Sequence, residues 1–214
     1  MTNFITIFPL TVVVYPGEQL NLHIFEPKYR QLILDCKENK KQFGIPSVIN
    51  GEVTEMGTSM EILEISHTYE DGKLDIKTKG INVFKILEIV KELPDKLYSG
   101  AIVNYPDNSF IDGNPVLMKK IVSGIREIHK RLHVSKKFVR SDKELLSYDV
   151  AHHAGMSIEE EYVLLQLPLE LQRQEFLKRH INKILPVLAE MQTLKKRIKL
   201  NGHFKNLEGF NFPT

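Results

Sequence analysis

The side chains that could act as nucleophiles or bind phosphate stand at spacings that do not match catalytic motifs. Gly72-Lys73 has the end of a phosphate-binding loop, but His67 occupies the position where that motif requires an earlier glycine. Ser123 lacks the two flanking glycines of a nucleophile elbow. The single cysteine, Cys36, lies on an apolar helical stripe, whereas reactive thiols need an exposed electropositive setting. The sequence therefore predicts a protein that is not an enzyme, with Cys36 in the core.

The histidines do not show the spacings of metal-binding motifs. His152 and His153 are adjacent, so on a helix they point about 100° apart and cannot both face one ion. His129 and His133 share a helix face at i, i+4, but neighbouring lysines and arginines oppose cation binding. The HExxH and Cys/His finger spacings are missing. We therefore predict a solvated helix face here, and we expect no metal and no cofactor.

The amino-acid composition indicates which partners and which cellular compartment to expect. The 214 residues are 42% hydrophobic and 26% charged, which is typical of an ordinary soluble globular protein. A net charge of +2 gives little support for nucleic acid or an anionic membrane as partner. One cysteine rules out a disulfide framework and fits a reducing compartment. The sequence shows no signal peptide and no apolar run of about 20 residues, so we expect a cytoplasmic protein without a membrane span.

Residues 4–105 predict mainly strands. Leu20, Leu22 and Ile24 alternate with polar residues, as in a strand with one buried face. Asp71-Gly72 favours the tight turn of a hairpin. The stretches predicted as strands are Phe4–Leu10, Val12–Tyr15, Leu20–Ile24, Phe43–Ile49, Met60–Tyr69, Lys73–Lys79, Val83–Val90 and Tyr98–Tyr105. Because Phe43–Ile49 contains Pro46, it is predicted to be an irregular or edge strand.

Helices are predicted once in this region and throughout the second half. Pro27 suits the first position of an early helix. From Val116 onward, apolar residues recur at helical spacing. Ser141 and Ser157 each precede a carboxylate by three residues, as in a capping box at a helix start. Pro186 removes a backbone donor and is expected to break or sharply kink the last helix near residues 182–184.

These patterns together predict an α+β fold in two parts. Residues 1–105 are expected to form a small β-barrel or curled sheet with one early helix. Residues 106–115 are rich in Pro, Asn, Asp and Gly and predict a linker. Residues 116–214 are expected to form a helical bundle, with the apolar residues after Gly202 docked on another surface.

The residues from Phe8 to Arg30 resemble the N-terminal domain of Lon proteases. That family opens with Phe-Pro-Leu, continues with a hydrophobic run into Pro-Gly, and places Leu-x-Leu-x-Ile-Phe-Glu-Pro-x-Tyr at the first helix. The matching segments here are Phe8–Leu10, Val12–Gly17 and Leu20–Tyr29, with weaker landmarks at Phe43–Ile45, Gly57–Thr58 and Lys79–Phe84. The helical half also resembles the bundle that follows the barrel in that family, so the resemblance covers nearly the whole chain.

The resemblance implies a PUA-like barrel followed by a helical bundle, which in Lon helps to recognise and engage substrate proteins. Lon continues into an ATPase module and a protease domain with a Ser-Lys dyad, whereas this sequence ends at Thr214. The resemblance therefore implies a stand-alone homologue of the substrate-binding domain without the catalytic machinery. Its expected partner is an unfolded or extended polypeptide, or a partner protein, and the expected state is a monomer or weak homodimer.

Most residues of the matching motif are expected to build the fold, with Phe25 in the core and Glu26 capping the first helix. The candidate peptide-binding residues are His23, Tyr29 and Arg30, whose polar ends could surface beside a groove. The hairpin edge and the crease beside the helical bundle are the expected partner surfaces. Two alternatives stay open, namely an RNA-binding PUA-like module and an adaptor or regulator of a separate protease.

Overall fold

Six β-strands and five α-helices make up this chain in the computed structural model, which describes residues 2–203. The strands are β1 Asn3–Ile7, β2 Gln19–Ile24, β3 Phe43–Ile49, β4 Glu52–Thr68, β5 Leu74–Val90 and β6 Gly100–Asn104. The helices are α1 Pro27–Glu38, α2 Pro115–Leu132, α3 Ser147–Val150, α4 Ile158–Gln166 and α5 Glu170–His203, with a 3-10 turn at Ala151–His153. The predicted docking of the apolar tail falls on Phe204 and later residues, which lie outside the described part of the chain.

The strands form one sheet that closes into a barrel. Their order is β2-β5-β4-β3-β1-β6, and β5 also pairs with β6, which closes the ring. The first part of β5 pairs with β2, whereas its second part, from Lys85 onward, pairs with β6. The predicted mixed α+β fold with an N-terminal barrel is therefore confirmed.

The stretches 73–79 and 83–90 form one strand, β5, rather than the two that the sequence predicts. Gly80, at the join, lets another part of the chain approach closely. A Cβ at Gly80 would stand 2.3 Å from the carbonyl oxygen of Tyr15, a distance that no side chain tolerates. Val12–Tyr15 is correspondingly a buried loop packed against the barrel and not a strand.

The sequence predicts an irregular or edge strand around Pro46; the strand is irregular as predicted, but it lies inside the sheet and not at an edge. β3 pairs in parallel with β1 and antiparallel with β4. The register with β4 shifts between Pro46 and Val48, so the missing N–H of the proline falls at an irregularity. The carbonyl oxygen of Pro46 still accepts a hydrogen bond from the backbone N–H of Leu10 at 3.2 Å.

Of the three helix starts that the sequence predicts at Pro27, Ser141 and Ser157, the first and the last are found in the structure. Pro27 begins α1, although Glu26 makes no side-chain cap, contrary to the expectation. The backbone N–H groups of Ser157 and Glu160 bond each other's side chains, so that capping box is confirmed. Ser141 instead donates to the Glu144 carboxylate at 2.7 Å within a loop, and no helix starts there.

The last helix runs through Pro186, so the predicted break near residues 182–184 is wrong, while the alternative of a sharp kink stays a prediction. α5 is 34 residues long and contains Pro186. Proline removes one backbone hydrogen bond from a helix. Leu177 and Ile181 before it are buried, and Leu188 after it packs on the same core, so burial on both sides holds the axis together. Beyond Leu188 the apolar stripe leaves the core, and Met191 is half-exposed.

The apolar core joins the barrel to the helices. One cluster combines Val13, Tyr15 and Val83 of the barrel side with residues of α2, α3, α4 and α5. The Tyr15 ring stacks on Tyr148 with 4.8 Å between centroids, and its hydroxyl donates to the carbonyl oxygen of Glu161 at 3.0 Å. A second cluster fills the space between the barrel and α1, with Cys36 buried as predicted. Phe25 is 59% exposed, so its expected place in the core is wrong.

Over residues 2–203, none of the helices combines the length and the hydropathy that a membrane crossing needs.

Candidate functional site

The three residues proposed from the sequence have separate structural surroundings. His23 on β2 bonds Asp75 on β5 through Nδ1 at 2.6 Å. The guanidinium of Arg30 donates to the carbonyl oxygen of Asp71 at 2.8 Å, which ties α1 to the hairpin turn. The Tyr29 ring packs on Phe8 with 4.0 Å between centroids. His23 and Arg30 are thus brought towards the β4–β5 hairpin, whereas Tyr29 packs at the barrel core.

The carboxylate of Asp75 organises the exposed end of the hairpin. Besides the bond to His23, it accepts a hydrogen bond from the Tyr69 hydroxyl at 2.8 Å. These two bonds, first that of His23 and then that of Tyr69, lower the pKa of Asp75. The His67 ring meets Tyr69 edge-on at 4.3 Å between centroids. This cluster is satisfied internally, and its bonds explain why these polar residues stand together on the surface.

A groove begins where the barrel meets the helices and continues between the segment before α2, α2 itself and the loop at residues 142–146; barrel residues line only its smaller cavity. It consists of two adjoining cavities of about 700 Å³ and about 310 Å³, and Phe110 and Leu146 line both of them. We call this surface the crease groove. Its apolar lining comes from three places in the sequence, and the residues are Phe110, Ile111, Met118, Val122, Leu145 and Leu146. None of His23, Tyr29 and Arg30 is among the residues that line it.

The segment before α2 forms one wall of the crease groove and exposes large apolar side chains. Ile111 is 96% exposed and Phe110 is 37% exposed. Met118 and Val122, one turn apart on α2, are buried and form the floor. Burying an aliphatic side chain of this size is worth about 1.5–3 kcal/mol, a free energy that the exposed Ile111 does not gain within this chain.

Arg173 on α5 holds this wall in place. Its side chain is fully buried and pairs with Glu170, one turn earlier, at 3.0 Å. It donates to Asn108 Oδ1 at 2.7 Å and also to the carbonyl oxygen of Ser109. Its guanidinium also lies over the Phe110 ring, 5.3 Å from the centroid. Because these contacts reach the residues on both sides of Ser109, Arg173 fixes the backbone from which Phe110 and Ile111 project.

Neighbouring polar groups complete the same network. The Glu170 carboxylate accepts from the Ser147 backbone N–H at 2.8 Å and from its hydroxyl at 2.6 Å, which anchors the start of α3. Asp112 accepts from the backbone N–H of Glu170 at 3.2 Å, and Gln174 accepts from that of Asn114 at 2.8 Å. Asn114 in turn caps α2 by accepting from two of its first N–H groups. The wall, α2 and α3 are therefore all fastened to the first turns of α5.

His152 forms a second link between the barrel and the helices. Its two ring nitrogens contact the carboxylates of Glu161 at 2.8 Å and Glu18 at 3.2 Å. Burial alone would lower the pKa of His152, but the hydrogen bonds to Glu161 and Glu18 outweigh it and raise the pKa to about 9. The protonated imidazole therefore stands between two carboxylates at neutral pH.

The candidate metal ligands and the candidate thiol nucleophile can be located within residues 2–203. Between residues 2 and 203, no group of three or more His, Cys, Asp or Glu side chains is arranged to hold a metal ion. Burial raises the pKa of the Cys36 thiol, which disfavours the reactive thiolate. His129 and His133, which the sequence placed on one helix face, have different surroundings. His133 follows the end of α2 in a left-handed conformation, whereas His129 contacts the carbonyl oxygen of His153.

The sequence only weakly indicated the residues that line the crease groove. Phe110-Ile111 is an apolar pair inside a segment of turn residues, a combination that indicates either burial or exposure for a partner. Arg173 had no signal, because its burial depends on Asn108 and Ser109, about 65 positions earlier in the chain. A single charged residue on a helix is normally solvated.

The described residues thus combine a closed β-barrel with helices packed against it and an apolar groove beside those helices. The chain belongs to the family of the ATP-dependent protease La (LON) substrate-binding domain, whose model matches residues 5–183. The resemblance found in the sequence is thereby confirmed.

Solved structures show the same fold. The Lon N-terminal domain protein from Xanthomonas campestris is 21% identical, with a TM-score of 0.64 over 83% of this chain and 98% of that chain. The N-terminal domain of the Mycobacterium avium complex Lon protease is 13% identical, with a TM-score of 0.61 over 84% of this chain and 98% of that chain. At these identities the likeness shows the fold alone.

Proposed function

We propose that this chain is a non-catalytic module that binds unfolded or extended polypeptide, and that the crease groove is its binding surface. The proposal adds detail to the family assignment, which names a substrate-binding domain. In this proposal the barrel is PUA-like, and the helices from residue 116 form a bundle that packs on it. The polypeptide is held by burial of its side chains, and no bond in it is broken.

The observation that carries the proposal is the uncovered apolar wall of the groove. Ile111 is 96% exposed although it stands on a backbone that a buried ion pair holds in place. A rigid exposed aliphatic residue beside an apolar floor is typical of a surface that a partner covers. A volume of about 700 Å³ lies in the range of ligand sites and is sufficient for a few side chains.

The structure gives less support to strand addition at the strand that contains Pro46. β3 already has a partner on each side, so it offers no free edge to an incoming peptide. β2 pairs with β5 and stands at the end of the strand order. A peptide that added to β2 would lie beside His23, whose variants therefore distinguish this mode from binding in the groove.

The test compares two variants whose substituted residues are both highly exposed and β-branched. Ile111→Asp places a charge in the groove, whereas Val139→Asp places one at a residue that is 92% exposed and not part of the lining. Fluorescence anisotropy would measure the affinity of each variant for a labelled, permanently unfolded model protein. We expect Ile111→Asp to weaken binding by about 10- to 100-fold, the equivalent of losing one buried aliphatic side chain.

Two results would contradict the proposal. One is the absence of any association of the unaltered protein with unfolded polypeptide at tens of micromolar. The other is an equal affinity of the Ile111→Asp and Val139→Asp variants, since that result would place the bound polypeptide elsewhere. His23→Ala, tested beside them, should leave the affinity unchanged if the groove is the site.

A further inference from the structure

The crease groove carries more positive charge than the chain as a whole. Its two cavities are lined by five basic and two acidic side chains, a net charge of +3. The whole chain has a net charge of +2. The excess of positive charge is therefore concentrated at this surface, and the remainder of the sequence is slightly negative.

The two acidic residues of the lining are already neutralised by arginines. Asp142 forms two parallel hydrogen bonds with the guanidinium of Arg126, at 2.7 and 2.8 Å. Asp149 lies 3.6 Å from the guanidinium of Arg140 and also accepts from the backbone N–H of Leu146 at 2.9 Å. Neither carboxylate is therefore available to compensate the lysines of the groove.

Three lysines of the lining have no ion-pair partner within residues 2–203. Lys119 and Lys143 line the larger cavity, and Lys79 lines the smaller one. All three side chains are exposed. The apolar boundary between the cavities, at Phe110 and Leu146, thus has uncompensated positive charge on either side of it.

We infer that the crease groove selects polypeptide segments in which a short apolar run is flanked by Asp or Glu. This inference rests on the proposed function and names the class of substrate for the same groove. Apolar side chains of the segment cover Phe110 and Ile111, while its carboxylates approach Lys119 and Lys143 in one cavity or Lys79 in the other. Complementary charge across a binding surface raises the association rate and rejects partners of the same charge.

The lining favours an acidic peptide over nucleic acid. Binding of single strands requires aromatic rings on which successive bases stack, along a basic groove. Among the lining residues the aromatic ones are Phe110 and Tyr148, and Tyr148 is buried under Tyr15 and Arg173. The aliphatic floor of Met118 and Val122 suits apolar side chains instead.

The test uses three labelled peptides that share one apolar core and differ only in the flanking residues, which are Glu, Gln or Lys. Each exposed ion pair contributes a factor of about 1.5 to 5 in affinity. With two flanks engaged, the Glu peptide should bind about 2- to 25-fold more tightly than the Gln peptide, and the Lys peptide should bind more weakly than both. The preference for Glu should shrink as salt is raised from 50 to 500 mM, because screening weakens exposed charge pairs.

The decisive variant combines Lys119→Glu with Lys143→Glu. It should lose the preference for the Glu peptide over the Gln peptide, or reverse it in favour of the Lys peptide. The matched control combines Lys37→Glu with Lys91→Glu, which changes the net charge equally at exposed lysines outside the lining. This control should retain the order of the three peptides. Circular dichroism would show that both double variants are folded.

The outcomes separate this inference from the proposed function. Equal binding of the three peptides, with sensitivity to Ile111→Asp, would overturn the charge preference and leave the binding groove in place. An unchanged preference in the Lys119→Glu, Lys143→Glu variant would also overturn it. Binding of none of the peptides would remove both proposals. Displacement of the Glu peptide by a uridine oligonucleotide at lower concentration than by unlabelled peptide would assign the positive charge to nucleic acid instead.

Discussion

Replacing Arg173 by methionine should destabilise this protein severely. The guanidinium is fully buried with Glu170 beside it, and it donates to Asn108 and to two backbone carbonyls. Removing one member of a buried ion pair costs about 3–5 kcal/mol, because the remaining charge is left without compensation. The orphaned acceptors add to this cost, at about 1–3 kcal/mol for each one that water cannot reach. We therefore expect the variant to lose about 4–6 kcal/mol of unfolding free energy.

That loss is large beside the total stability of a folded protein, which is about 5–15 kcal/mol. Urea denaturation followed by circular dichroism would measure it, with a thermal scan beside it. For a chain of this size the midpoint falls by about 2–4 °C for each kcal/mol, so a shift on the order of 10–20 °C is expected. The matched control is Arg126→Met, which breaks an equally well-formed pair with Asp142 whose two side chains are more than half exposed. An exposed pair of this kind contributes about 0–1 kcal/mol.

A double-mutant cycle tests whether the ion pair is the cause. Glu170→Gln alone leaves Arg173 charged and buried, whereas Glu170→Gln combined with Arg173→Met leaves neither charge. The double variant should therefore lose less stability than the sum of the two single variants, by about 0.5–3 kcal/mol. Should Arg173→Met fail to fold, Arg173→Lys gives a separate measurement: it keeps the positive charge beside Glu170, so its cost reports the lost hydrogen bonds to Asn108 and to the backbone carbonyls. A cost below about 1 kcal/mol for Arg173→Met, or strict additivity, would refute the reasoning.

Two further predictions concern pH and backbone packing. The folded pKa of His152 lies above its ordinary value of 6.5, at about 9, so its contribution is complete below pH 6.5 and disappears as the pH rises through 9. Because the side chain is about one-third exposed, the free energy of unfolding measured in urea should fall by roughly 1–2 kcal/mol over this pH range. The His152→Gln variant should not show this fall. Gly57→Ala would bring a Cβ within 2.3 Å of a backbone carbonyl of β3 and should cost more than about 2 kcal/mol in the same assay.

Each of these two predictions has a result that would contradict it. A His152→Gln variant whose stability still falls between pH 6.5 and 9 as in the unaltered protein would show that another group is responsible. For the glycine, the control is Gly155→Ala, where an added Cβ meets nothing within 4 Å but the backbone has a φ of +72°. That control should cost about 1–2 kcal/mol from backbone strain alone. A smaller cost at Gly57 than at Gly155 would refute the packing argument.

The placement of the candidate site could be predicted only in part. The sequence indicated the crease between the barrel and the helices as a partner surface, and the smaller cavity of the groove lies there, whereas the larger apolar cavity lies among the helices and the segment before α2. The role of the groove as a partner surface stays a prediction. His23, Tyr29 and Arg30 stay predictions as binding residues. The hydrogen bonds of His23 to Asp75 and of Arg30 to Asp71, and the packing of Tyr29 on Phe8, explain their positions without assigning them a partner. The polar residues of the motif did not point to Ile111, because the exposure of an apolar residue depends on the neighbours that the fold places around it.

The sequence by itself determined the features that depend on neighbouring residues. The hairpin turn at Asp71-Gly72, the start of α1 at Pro27 and the cap formed by Ser157 and Glu160 each rest on bonds or dihedral angles within a few positions. The residues from Phe8 to Arg30 also indicated the fold, through their resemblance to the N-terminal domain of Lon proteases, and the family model confirms that resemblance.

The tertiary structure alone decided which surfaces are paired and which are left open. It placed the strand of Pro46 inside the sheet, kept α5 continuous through Pro186 and left Phe25 exposed. It also brought Arg173 to Asn108 and Ser109, which positions the wall of the crease groove. These outcomes depend on contacts between segments far apart in the chain, and the burial of a residue is set by its partners in space and not by its own type.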